Sequence, residues 1–134
     1  MAKSRVIPTK PDDWEELQRI DIERQDRILS DENAKAYFDG LHESNDWTKF
    51  LSLVKQQDWY PFHETSNVQN VTIPVLYIVG EEKQHEVFGA VQYKKRVSDI
   101  HIAVIPFASH LVHDNQPGIY TNFLEMFLQK NKIT

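Results

Sequence analysis

No cysteine occurs among the 134 residues. That excludes a disulfide framework and thiolate chemistry, and it fits a reducing compartment. The opening residues MAKSRVIPTK contain no apolar run long enough for a signal peptide or a membrane span. Together these absences lead us to expect a cytoplasmic chain that neither crosses nor anchors in a membrane. Concentrated positive charge is also scarce. Lys94, Lys95 and Arg96 form the one dense basic run, and the net charge is −5, so no nucleic-acid footprint is expected. What is present is a globular balance of 40% apolar and 26% charged residues. A length of 134 residues suits about one core of ordinary size.

Two regions differ in pattern. From Pro11 to about Gln57 apolar residues recur at helical spacing: Trp14, Leu17, Ile20 and Ile28, then Ala34, Tyr37, Phe38 and Leu41, then Trp47, Phe50, Leu51 and Val54. These spacings predict three short amphipathic helices. Pro11 suits a first turn, where its missing N–H costs nothing, and Asp12 and Asp13 favour the positive end of the helix dipole. Ser30 is placed to cap the second helix and Gly40 to end it, while Asn45 or Asp46 can cap the third. The segment Asp58 to Asn70 carries Pro61 and several turn-forming polar residues, and reads as a loop.

From Val71 onward the pattern changes to β-α-β-α. VTIPVLYIVG, Val71 to Gly80, is nearly continuous in apolar, β-branched residues, as expected for a parallel strand buried on both faces. Pro74 cannot donate to a ladder and belongs near the strand start. A helix follows, with Val87, Phe88, Val91 and Lys95 on one face, Glu81 and Glu82 at its front and Lys94 to Arg96 at its back. DIHIAVIP, Asp99 to Pro106, is the second strand. The last helix presents Ile119, Tyr120, Phe123, Leu124, Phe127 and Leu128 as a broad apolar face. We therefore expect an α/β chain with a helical region at 1–70 and a β-α-β-α region at 71–134, forming one structural unit.

In such sheets the functional loops lie at the carboxyl ends of the strands. The second of those ends is the Phe107 to Gln116 loop, FASHLVHDNQ, which carries His110, His113 and Asp114. The run IPVLYIVGEE, followed after a helix and strand by a histidine loop and then P-x-x-Y-x-x-F-L-x-x-F-L, resembles the C-terminal part of the α/β-hydrolase superfamily. The preceding helices resemble the lid that many members insert before this strand. The likeness runs from about Trp47 to the end and lies in the spacing of elements. It implies ester or amide hydrolysis by acyl transfer, with a serine on a G-x-S-x-G turn, an acid after a later strand and a histidine in the last strand-to-helix loop. His110 falls at the histidine position by this resemblance. The resemblance places the acid where Lys83 stands, in Gly80-Glu81-Glu82-Lys83, so Glu82 or Glu81 is the candidate substitute.

Neither G-x-S-x-G nor a glycine-rich oxyanion loop occurs in the sequence. The resemblance therefore implies a C-terminal portion without its nucleophile half, inactive alone. The alternative is a noncatalytic binding or assembly module on a degenerate hydrolase scaffold. Simpler roles stand beside these readings. His110 can cap a carbonyl or face solvent, and Glu81 and Glu82 can serve only the helix dipole. Trp14, Trp47, Trp59, Tyr60 and Phe62 can be core as well as pocket lining. His110, His113 and Asp114 make a weak metal set, and no metal or cofactor is expected. Two apolar parallel strands leave at least one open edge. We accordingly expect a homodimer, or docking on a second polypeptide, through that edge.

Overall fold

The computed structural model describes residues 6–43 and 45–132. Seven α-helices, one 3₁₀ turn and two strands are found among them, and the chain divides into two units. The first comprises Lys10–Pro61. The second begins at Phe62 and also takes in the short segment Val6–Thr9, so Phe62–Asn70 belongs with the strands.

Helices α1 (Trp14–Ser30), α2 (Glu32–His42) and α3 (Trp47–Val54) build the first unit. Its aromatic centre is Trp14, which is buried, stacks on Trp59 at 6.2 Å and meets the edge of Tyr60 at 5.2 Å. Trp47 packs instead on Phe38. Leu51 and Val54 of α3 are buried, and the Gln18 amide donates to the carbonyls of Val54 and Gln56 at 2.9 and 3.0 Å, fastening the end of α3 to α1. Asp39 accepts from Trp47 Nε1 and from Lys35, both at 2.8 Å. The Lys35 bond first, and the indole bond second, hold its carboxyl below the usual carboxylate range.

The caps differ from expectation in two places. α1 runs on through Ser30, whose hydroxyl donates back to the Arg27 carbonyl, so the second helix is capped by Asp31. Asp31 Oδ1 accepts from the N–H groups of Asn33 at 2.9 Å and Ala34 at 3.1 Å. Gly40 lies inside α2, and the positive φ that follows the helix falls on Glu43. Asp46 caps α3 as the sequence suggests. Removing the Asp31 cap by Asp31→Ala should cost about 1 kcal/mol in the helical unit, because two N–H groups lose their acceptor. Urea unfolding followed by tryptophan fluorescence reads this directly, since all three tryptophans lie in this unit.

In the second unit, α4 (Phe62–Ser66) and the 3₁₀ turn Val68–Asn70 occupy what reads as loop. The turn closes through Val71 N–H to the Val68 carbonyl, which delays the first strand to β1 (Val75–Gly80) and leaves Pro74 just outside it. After α5 (Gln84–Arg96), β2 (Ile100–Ile105) pairs parallel with β1, in register from Val75 opposite Ile100 to Gly80 opposite Ile105. α6 (Val112–Asn115) and α7 (Pro117–Lys130) follow. The result is a helix-rich α/β chain with two parallel strands in one sheet.

Burial on both faces of β1 is not observed. Its first four residues are half-buried and only Val79 and Gly80 are buried. With two described strands in the sheet, each strand is an edge. The apolar face of α5 is not its buried one: Phe88 is 64% exposed, and Glu86, Gly89, Ala90 and Tyr93 are buried. The small pair Gly89 and Ala90 lets the chain pack closely. A β-carbon at Gly89 would lie 2.7 Å from Ile7 Cγ2, and Ile7 is itself buried. Tyr93 adds an edge contact to Tyr77 and donates to the Thr65 carbonyl at 2.9 Å. On the opposite face Ala103, Ile105, Ala108 and Val112 form a small core against Ile78 and Tyr120. No described residue of α7 is buried, although its apolar residues are those expected.

Candidate functional site

Parallel strands direct their carboxyl ends, and the loops that leave them, to one edge of the sheet. Here β1 delivers Gly80 and the entry to α5, and β2 delivers the loop from Pro106 to Leu111. The two are bound together by their backbones. Glu81 N–H donates to the Ile105 carbonyl at 3.0 Å and Glu82 N–H to that of Ala108 at 3.2 Å, while Lys83 N–H closes a turn on Gly80 at 3.1 Å. Glu81 Oε1 accepts from Phe107 N–H at 2.7 Å, at a residue held in the left-handed region with φ 57°. Gly80 is required by this approach. A β-carbon there would meet the Ser109 carbonyl oxygen at 2.2 Å and that of Ala108 at 2.3 Å.

These contacts bring His110 to a carboxylate. His110 Nδ1 lies 3.0 Å from Glu86 Oε1, with the side chains 19% and 7% exposed. Glu86 is the third residue of α5, where the helix dipole favours negative charge. The acid beside His110 is thus Glu86, and not Glu82 or Glu81. Glu82 is exposed and contributes its backbone N–H, while the Glu81 carboxylate serves Phe107. Lys83 stands just before α5 as a half-buried residue.

Glu86 is not marked by the G-x-x-D spacing, and it stands beside the more apolar Val87 and Phe88. The signal was there in another form. Gly89, Ala90 and Tyr93 stand three, four and seven residues after Glu86, so a packing face of small residues carries the glutamate inward.

The pair can orient an imidazole. A carboxylate only accepts, so the bond to Glu86 calls for a proton on Nδ1 and leaves the Nε2 lone pair available as a base. Among the described residues no serine or threonine hydroxyl bonds to the ring. The adjacent Ser109 hydroxyl donates to Asn115 Oδ1 at 3.0 Å. His113 and Asp114 do not join the pair. They face each other at 3.5 Å as exposed groups, and the His113 ring lies 5.8 Å from Tyr120. Among the described residues no group of three or more histidine, aspartate or glutamate side chains could hold a metal ion. Nor is any described helix long and apolar enough to cross a membrane.

No protein-family model matches the chain, and no curated protein is significantly similar to it. Among solved structures the chain is similar to NosK from Streptomyces actuosus, at 19% identity and a TM-score of 0.61. The likeness covers 88% of this chain and 53% of the NosK chain, so this chain spans about half of that protein. At that identity the likeness concerns the fold alone.

Proposed function

We propose that this chain is the lid-like helical region and C-terminal β-α-β-α part of an α/β-hydrolase-like protein acting on small esters or amides in the cytoplasm. In it His110 is the base and Glu86, in place of Glu82, is the acid that orients it. The observation carrying this reading is the 3.0 Å bond between His110 Nδ1 and the buried Glu86 carboxylate at the carboxyl ends of two parallel strands. Nε2 would take the proton of an attacking hydroxyl and return it to the leaving group. The hydroxyl and the oxyanion donors must come from outside these 134 residues, which contain no G-x-S-x-G, whether from a further segment or from another polypeptide. Half-buried β1 and the exposed Ile119, Phe123 and Met126 of α7 support association, with a second copy or with such a polypeptide.

The isolated chain should not hydrolyse a chromogenic short-chain ester above the buffer rate. Turnover that disappears in His110→Ala would refute the inactive-alone reading and place a nucleophile inside this chain. A second reading, a noncatalytic assembly module, is favoured by Lys83 at the expected acidic position and by the commitment of the Ser109 hydroxyl to Asn115.

A further inference from the structure

Ser109 and His110 are consecutive, and what holds the first aims the second. Both donors of Ser109 converge on one atom: its N–H reaches Asn115 Oδ1 at 2.9 Å and its hydroxyl reaches the same oxygen at 3.0 Å. Asn115 is the last residue of α6, and that single turn is closed by the N–H groups of Asp114 and Asn115 on the Leu111 carbonyl, each at 3.1 Å. The next residue, Gln116, reaches back to the Phe107 carbonyl at 3.4 Å. On the other side Ala108 is tied by Glu82 N–H to the entry of α5, the helix that carries Glu86. His110 is therefore gripped from both directions, by the turn that leads into the acid's helix through Ala108 and by α6 through Ser109.

We propose that Asn115 is a positioning residue, which holds Ser109 so that the His110 imidazole stays in register with Glu86 and keeps its proton on Nδ1. The inference rests on the His110–Glu86 pair as read above and concerns how that pair is kept assembled. An unanchored Ser109 would free the peptide that precedes His110, and a small rotation there moves the ring by more than a hydrogen bond tolerates. The Asn115 amide oxygen serves because one carbonyl-type oxygen has two lone pairs and can satisfy both donors.

Nitrogen–proton correlation spectra of the full chain, labelled with nitrogen-15, test this without any catalytic assay. His110→Gln assigns the signal among the six histidines. The parent chain should show a slowly exchanging proton on His110 Nδ1 and none on Nε2. In Asn115→Ala that proton should exchange with water about tenfold faster, and the Nε2–H tautomer should appear, as two hydrogen bonds are lost. Asn115→Asp, whose carboxylate can accept both bonds, should restore the parent pattern. The β2 amides should exchange at parent rates throughout, so equal acceleration of both would mark Asn115 as merely structural and overturn the proposal. An unchanged Nδ1 proton in Asn115→Ala overturns it as well. If that variant does not fold, Ser109→Ala removes one of the two bonds, and an acceleration of about threefold is expected. Unchanged exchange there counts against the clamp. A parent chain with no Nδ1 proton removes the pair itself, and the proposed base with it.

Discussion

Gly80→Ala should be the most damaging single-methyl change in the sheet-bearing unit, costing about 3 kcal/mol or more. A new β-carbon would stand 2.2 Å and 2.3 Å from the carbonyl oxygens of Ser109 and Ala108. Those atoms are backbone, so no rotamer change relieves the overlap. The loop must move, and it is stitched to β1 by Glu81 and Glu82. The strain is one of space, because no glycine here has positive φ. Gly40→Ala is the matched control. Nothing lies within 4 Å of its β-carbon position, it sits inside α2, and the change should stabilise the helical unit by about 0.5–1 kcal/mol. Amide exchange in β2 reads the first effect and tryptophan fluorescence the second. A Gly80→Ala chain with parent protection in β2 would show that the loop is not held against the strand end.

The second large effect is expected at the buried pair. Glu86→Ala should cost about 2–3 kcal/mol, since it opens a cavity and strips the His110 ring of its acceptor. His110→Ala should cost about 1–2 kcal/mol, being less buried. The double variant should cost less than their sum by about 1–2 kcal/mol, because the bond can be broken only once. Glu86→Gln keeps an oxygen acceptor and should lose about 1 kcal/mol. Urea unfolding of the four proteins of the cycle, followed by exchange of the β1 and β2 amides, supplies the coupling. Additivity to within about 0.3 kcal/mol would mean that the two groups do not stabilise each other.

How far these features are legible in the sequence differs by element. The three helices of the first unit and the β-α-β-α order of the second follow from periodicity, and their observed bounds lie close to the apolar spacing. Asp46 was legible as a cap, whereas α1 runs through Ser30 and leaves the cap of α2 to Asp31. On α5 hydrophobicity favours Val87, Phe88 and Val91, while packing against Ile7 favours the residues without bulk, so the buried face is not legible from hydrophobicity alone. His110 was legible as a loop residue at a strand end. Its acid was not, since Glu86 stands 24 positions away and is aimed by the direction of a helix face.

The one-dimensional order of polar and apolar side chains determined the five longer helices, the two strands, and that the histidine loop follows the second strand. Such choices are local, governed by repeats of about 3.6 and 2 residues that any short window contains. Only the tertiary structure decided which carboxylate meets the imidazole, why Gly80 must be glycine, and where the Ser109 hydroxyl goes. Each of these depends on atoms that the sequence order does not pair coming within about 3 Å, and at that range one methyl group or one turn of helix changes the partner.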